Sequence, residues 1–280
     1  MLIACSERED IEALKQLLNS EFDMKDLGPT KKILGMEIIR NRRNNTMILS
    51  QRKYLEKVLE SFVMSSNKSV VTPLASHFKL SCSLCLRTDE ERCEMIKVPY
   101  ASVVGCMMYA MVLTRPDLTH ALSVVSRFMA SPDKEHWKVV KWVLRYLKGT
   151  HGYGLVYGKS SRKEVGLCGF VDSDFARDLD KRSSSAIYLS KNPAHHKKTK
   201  HIDIKLHFIR NVISKGVISM VKVHTDNNPA DMLTKVVPTA KFKSCLDKAG
   251  LSNSSNIQVG KIMVKGDLLN VENCCVVKQI

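Results

Sequence analysis

The chain has no run approaching the ~18 consecutive apolar residues that a membrane-spanning helix needs. Its opening residues, Met1 to Arg8, become charged too early for a secretory leader. Acid is scarce: 28 Asp and Glu face 44 Lys and Arg, for a formal net charge of +16. A balance this basic favours a polyanion as partner, nucleic acid before membrane, and fixes no more than that class. The nine cysteines are scattered and odd in number, so no disulfide framework is expected. An intracellular setting, cytoplasm or nucleus, is the default expectation. Cys82-Ser-Leu-Cys85, with Cys93 and His77 nearby, has the shape of half a zinc knuckle. One CxxC without a second pair at finger spacing is weak, and a polar loop with incidental cysteines accounts for it as well.

With 280 residues, one to three domains and a sizeable core are expected. Met1 to Cys5 is a short apolar strand. Ser6 and Glu9 form a capping box, and Ile11, Leu14 and Leu18 make the stripe of a helix ending near Phe22. Lys32 to Arg40 and Thr46 to Leu49 read as a hairpin around the polar tip 41–45. Gln51 to Met64 is a helix with Tyr54, Leu55, Val58, Leu59 and Phe62 on one face. Residues 65–98 read as a polar linker. Helices follow over 100–113, 117–129 and 135–148, set off by Pro116 and Pro132. In the last of these, Trp137, Trp142 and Tyr146 fall at core spacing. Lys138, Lys141, Arg145 and Lys148 beside them offer a face that could follow a phosphate backbone. Strands are expected at 153–157, 167–171 and 217–223, and helices at 201–214, 229–235 and 241–249. Beyond Leu251 the pattern is Ser/Asn-rich and then irregular.

Several stretches, in order, carry a family resemblance. They include Phe22-Asp-Met-Lys-Asp-Leu-Gly28, Ile33-Leu-Gly-Met-Glu37, Gln51-Arg-Lys-Tyr54 and Pro99-Tyr-Ala-Ser-Val-Val-Gly105. Met108-Tyr109, Thr114-Arg-Pro-Asp117, Val125-Ser-Arg-Phe-Met129 and Leu144-Arg-Tyr-Leu-Lys-Gly-Thr150 come next. Thr199-Lys-His-Ile-Asp203, His207-Phe-Ile-Arg210 and Ala230-Asp-Met-Leu-Thr-Lys235 complete the set. Together they resemble the Pol polyprotein of copia-type LTR retrotransposons, the plant elements above all, over about residues 1–250.

The resemblance implies an α+β architecture: a partial reverse-transcriptase palm and thumb, a helical connection, and a truncated ribonuclease H-like α/β domain. The implied partition is 1–64 for palm and thumb, 65–98 for the linker and 99–158 for the connection. Residues 159–250 would be ribonuclease H-like, and 251–280 a disordered tail. The family's paired polymerase aspartates would lie just before Met1. Glu7, Glu9 and Asp10 suit a helix start instead, so polymerase activity is not expected.

Ribonuclease H chemistry needs about four carboxylates around two Mg2+ ions ~3.5–4 Å apart. By resemblance, Asp172 in Phe170-Val-Asp-Ser-Asp174 matches the first of these acids and Asp231 matches the last. Asp174 is a weaker candidate metal ligand, and Asp203 and Asp226 are unconvincing substitutes. The second and third acids should come from a Glu-Ala-Glu-Tyr helix and a strand ending just before Ser-Ala-Ile. Neither is present. Arg182-Ser183 matches the start of the family's second strand and Ser185-Ala-Ile187 the segment beyond the third acid, so a join near 184–185 drops several tens of residues. Two carboxylates could hold one Mg2+ loosely and would not supply a bridging pair.

Three functional readings follow. The first is a Pol fragment without catalysis. The second is a retained module that binds an RNA/DNA hybrid through Lys191, Lys197, Lys198, Lys200 and His201, reading phosphates and not sequence. The third is an active nuclease, if the join is an artefact such as a skipped exon.

Overall fold

A hairpin and a distant pair of strands, joined into one antiparallel sheet, set the frame of the computed structural model. It describes residues 3, 5, 7–62, 68–78, 80, 94–158, 169–172, 211–215 and 223–253. Strands β1 (Lys32–Ile33), β2 (Met36–Asn41) and β3 (Thr46–Ser50) run in sequence order. Next to β3 lies β4 (Tyr153–Gly158), and β5 (Leu251–Asn253) closes the edge. All neighbours are antiparallel. The register aligns Ile38, Leu49, Leu155 and Leu251 in one row across β2 to β5. Side chains alternate across a pleated sheet, so this aliphatic row shares one face. Leu155 and Leu251 pack into the core from it. Leu251–Asn253, placed by sequence in the tail, is thus an edge strand, anchored by a leucine only 1% exposed.

Two glycines make that edge possible. Gly154 sits opposite Ser50 and Ser252. A Cβ there would stand 2.6 Å from the Leu49 carbonyl oxygen, closer than any side chain can approach. Gly250 has φ +69° and turns the chain out of the preceding helix, where a left-handed residue is the usual exit.

Helices accompany the sheet, and all but the first pack into the core. They are α1 (Arg8–Glu21), α2 (Arg52–Ser61), α3 (Tyr100–Leu113), α4 (Thr119–Val125), α5 (Lys134–Thr150), α6 (Asp231–Thr234) and α7 (Thr239–Lys248). The expected 117–129 helix is α4 flanked by two 3-10 turns, Pro116–Leu118 and Ser126–Phe128. One hydrophobic cluster joins α2 to α7. It runs from Leu55 and Val58 of α2 through Val103 and Met107 of α3 and Leu122 of α4. From there it passes to Val143 and Leu147 of α5, Met232 of α6 and Phe242 of α7. Segments that the sequence assigns to palm and thumb, connection and ribonuclease H-like region share this core. Leu74, inside the expected linker, belongs to it as well, and Thr72 accepts a hydrogen bond from the Trp142 indole at 2.9 Å. Residues 94–113 are, by length and composition, able to cross a membrane. Lys97, Pro99 and Ser102 interrupt their apolar run, and Val103, Val104, Met107 and Ala110 point into the core.

Two expectations change, at α1 and at the 167–171 strand, and others fall mostly outside the described residues. Helix α1 begins at Arg8 after Glu7, with no side-chain cap; Ser6, expected in a capping box, lies outside the described residues. None of its residues is buried; Leu17 is 62% exposed. The expected strand 167–171 is described only from Gly169, and that part pairs with no strand among the described residues. Its anchor is a side chain, the Asn228 amide, which donates to the Val171 carbonyl at 3.0 Å. The expected strand 217–223 is described only at Val223, the 201–214 helix only over 211–214, and the segment 1–5 only at two positions. The strand 153–157, the hairpin and the helices 51–64, 100–113 and 135–148 form much as expected.

The start of α5 carries a capping box that the usual Ser/Thr…Glu signature does not describe. Asp133 accepts from the His136 amide at 2.8 Å, and His136 Nδ1 accepts from the Asp133 amide at 3.1 Å. The imidazole is fully buried and stacks on Phe128 at 3.8 Å between centroids. Burial pushes its pKa below the usual value, more than Asp133 and Glu135 raise it. His120 is likewise lowered, by burial and then by Arg127. The unfolded chain, where histidine titrates near ~6.5, therefore binds more protons than the native state just below that pH. These two side chains contribute stability that is complete above about pH 6.5 and is lost as pH falls below it. Urea midpoints should drop from pH 7 to pH 5.5, and His136→Gln should flatten part of that slope. An unchanged slope would contradict the assignment.

Candidate functional site

Asp172 and Asp231, separated by most of the expected ribonuclease H-like region, meet in space. Asp231 opens α6, after the turn Asn228-Pro229-Ala230. The Asn228 side chain organises that turn: its oxygen accepts from the Ala230 amide at 3.1 Å while its amide holds Val171. Asp172 is thereby brought beside the end of α6, where the Thr234 hydroxyl donates to its Oδ2. The Asp231 side chain is 1% exposed and that of Asp172 9%. Lysines complete the group. Lys235 Nζ lies 3.3 Å from Asp231 Oδ1 and 3.5 Å from Asp172 Oδ2, bridging the two carboxylates. Lys241 of α7 pairs with Asp231 Oδ2. Sequence reasoning passed over Lys235, Lys241 and Thr234, although Lys235 stands at i+4 from Asp231, a spacing that places side chains together on a helix.

The other candidates do not join them. Asp226 pairs with His224 Nδ1 at 3.4 Å on the open surface. Asp174, Asp203 and the basic residues Lys191, Lys197, Lys198, Lys200 and His201 lie outside the described residues, as do Cys82, Cys85 and Cys93. His77 packs against Phe78 and Trp142, at 4.2 and 5.7 Å between centroids. Among the described residues no group of three or more His, Cys, Asp or Glu converges.

A second polar constellation lies wholly inside the core, and its residues come from the ordered motifs. Arg115 and Asp117 are both fully buried. The guanidinium grips Asp117 in a two-pronged pair, Nε to Oδ1 at 3.0 Å and Nη2 to Oδ2 at 2.7 Å. It also donates to the Thr150 carbonyl and hydroxyl at 2.8 and 2.7 Å. The Tyr146 hydroxyl donates to Asp117 Oδ2 at 2.6 Å. Burial works against the charge on Arg115, but Asp117 outweighs it and the guanidinium stays protonated. Burial, with Asp117 adding to it, pushes the Tyr146 hydroxyl well above its ordinary range. Next to this network Thr114 donates to Gln51 Oε1 at 2.6 Å. Tyr54 bonds the Cys106 carbonyl at 3.1 Å and Tyr109 the Leu34 carbonyl at 2.7 Å. The motifs Gln51–Tyr54, Met108-Tyr109, Thr114–Asp117 and Leu144–Thr150 are therefore the joints by which α2, α3 and α5 lock together.

Comparison with known proteins places the chain first in a broad class. The family described as reverse transcriptase (RNA-dependent DNA polymerase) matches residues 1–76. The chain is 41% identical to the retrovirus-related Pol polyprotein from transposon TNT 1-94 of Nicotiana tabacum, over 91% of this chain and 24% of that protein. It is 28% and 27% identical to the Pol polyproteins from transposons RE1 and RE2 of Arabidopsis thaliana, each over 84% of this chain and 20% of the relative. No solved structure gives a significant match. The chain is similar to the Pol polyproteins of plant copia-type retrotransposons and spans a quarter or less of the length of these relatives. The TNT 1-94 alignment covers 320 positions, 40 more than the 280 residues of this chain. At least that many residues of the relative have no counterpart here.

Proposed function

We propose that this chain is a portion of a retrotransposon Pol polyprotein whose ribonuclease H-like site does not catalyse hydrolysis. One observation carries the reading: both oxygens of Asp231 and one of Asp172 are engaged by lysine ammonium groups. A two-ion mechanism needs those oxygens for Mg2+, together with further bridging carboxylates. The donor set of two lysine-paired acids does not fit such a centre. The surplus of unmatched positions in the TNT 1-94 alignment supports the loss of the intervening acids at the join near Ser184–Ser185. Residues 1–76, the stretch matching the reverse transcriptase family, contain no Asp-Asp pair.

The test is hydrolysis of an end-labelled RNA strand annealed to DNA, in Mg2+ and in Mn2+. Cleavage should not exceed that of an Asp231→Asn variant. Metal-dependent cleavage lost in that variant would overturn the reading and favour an active nuclease.

Binding of such a hybrid is a second reading, favoured by the exposed side of α5. Lys134, Lys138, Lys141, Arg145 and Lys148 recur at alternating steps of four and three residues, which lines them along one face. Glu94 and Glu135 offset two of them. Contacts of this kind neutralise phosphates, so the affinity would fall steeply with salt.

A further inference from the structure

We propose that residues 68–72 form a strap that withholds Arg145 from the basic face of α5, so that this face grips an RNA/DNA hybrid at full strength only once the strap lifts. The proposal rests on the reading of α5 as a hybrid-binding surface and adds a restraint to it.

The strap lies along one flank of α5. Arg145 Nε donates to the Lys68 carbonyl at 2.7 Å, and its guanidinium carbon stands 5.1 Å from the centroid of the Trp142 ring. The Trp142 indole donates to the Thr72 carbonyl at 2.9 Å. Just beyond, Pro73 and Leu74 are buried. The His77 and Phe78 rings meet Trp142 edge-on, at 5.7 and 5.5 Å between centroids. The far end of the strap is thus fixed in the core. The near end is held more lightly: Lys68 and Ser69 are exposed, and only Val70 packs against the hydrophobic cluster.

Gly149 lets that near end approach. A Cβ there would stand 2.9 Å from the Ser69 Cβ, nearer than side chains come. Gly149 lies in the last turn of α5, where alanine would suit the helix better than glycine. Its smallness serves the strap and not the helix. Among the basic residues of the face, Arg145 is turned to a backbone carbonyl while Lys141 stays exposed. A phosphate competes for the same guanidinium with two parallel bonds, where the carbonyl takes one. Uncovering Val70 and breaking the Arg145 bond oppose that exchange.

The experiment compares the full chain with Gly149→Ala, which crowds Ser69 off the helix. Affinity for a fluorescein-labelled RNA/DNA hybrid is followed by anisotropy across a salt series, in EDTA so that no metal-dependent cleavage intervenes. The variant should bind several-fold more tightly at low salt. Its log–log salt dependence should steepen by about 0.9, the share of one phosphate contact. In the parent, Arg145→Gln should cost less affinity than Lys141→Gln; in the Gly149→Ala background the two should cost the same. Equal affinity and slope in two proteins that both bind would overturn the strap alone. No binding by either would remove the hybrid reading and the proposal with it. A readout on the parent needs neither ligand nor variant. Phenylglyoxal modification, read by mass spectrometry, should reach Arg145 several-fold more slowly than the exposed Arg42, and equal rates would overturn the strap directly.

Discussion

Replacing Arg115 with methionine is expected to lower the unfolding free energy by about 3–5 kcal/mol, because it strands the Asp117 carboxylate in the core. Both residues are fully buried, and the guanidinium makes four of the bonds in the network. The attraction between the two charges matters less here than the state left behind. A carboxylate with no counter-charge must be desolvated or protonated, and either outcome is costly. Tyr146→Phe removes only the hydroxyl bond to that carboxylate and should cost about 1.5–3 kcal/mol, the range for bonds to charged groups. Replacing Arg115 and Asp117 together with methionine and leucine should recover more than half of the loss, since neither charge is then left alone. Urea unfolding followed through the fluorescence of Trp137 and Trp142 on α5 measures all three. A loss below about 1 kcal/mol for Arg115→Met, the level of an exposed pair, would mean that the network is open to water.

Leu251→Ala should cost about 2–5 kcal/mol, the range for large-to-small changes in a core. Leu251 is 1% exposed and belongs to the same cluster as α2, α3 and α5. It pairs with Leu155 in the sheet register. The cavity would open at the seam between β4, β5 and α7. The loss should therefore appear in the main unfolding transition and not as fraying of the C-terminal residues. If Leu251 began an unstructured tail, the substitution would change stability by less than about 0.5 kcal/mol, as exposed sites do.

The helices were legible because their signal is local. The 3.6-residue stripe of α5 and the apolar composition of α3 need no knowledge of distant partners. The sheet was not legible in the same way. β4 reads as a short strand, but its partner β3 lies far back in the chain, and no local pattern announces that pairing. β5 has three residues, two of them Ser252 and Asn253, so only the burial of Leu251 distinguishes it from a tail. The cap of α5 escaped because histidine replaces the expected glutamate or glutamine at its third position. In the site, motif order named Asp172 and Asp231 together, and the fold sets both carboxylates beside Lys235. Their lysine partners were not legible, since a lysine in a basic sequence reads first as a solvated charge. The same bias hid the Arg115–Asp117 pair, whose sequence context is an ordinary turn before a helix.

These observations converge on one claim: α2 to α7 and strands β3 to β5 form a single cooperative core that crosses the boundaries implied by the Pol layout, and α6, α7 and β5 have no independent stability. Hydrogen exchange of the native protein, resolved by mass spectrometry across a series of urea concentrations, tests it most directly. The most protected amides of β3, β4, α5, α7 and β5 should share one opening free energy and one urea dependence, equal to those of global unfolding. A stable protected unit spanning α6 to β5 that persists after α3 and α5 have exchanged would contradict the account.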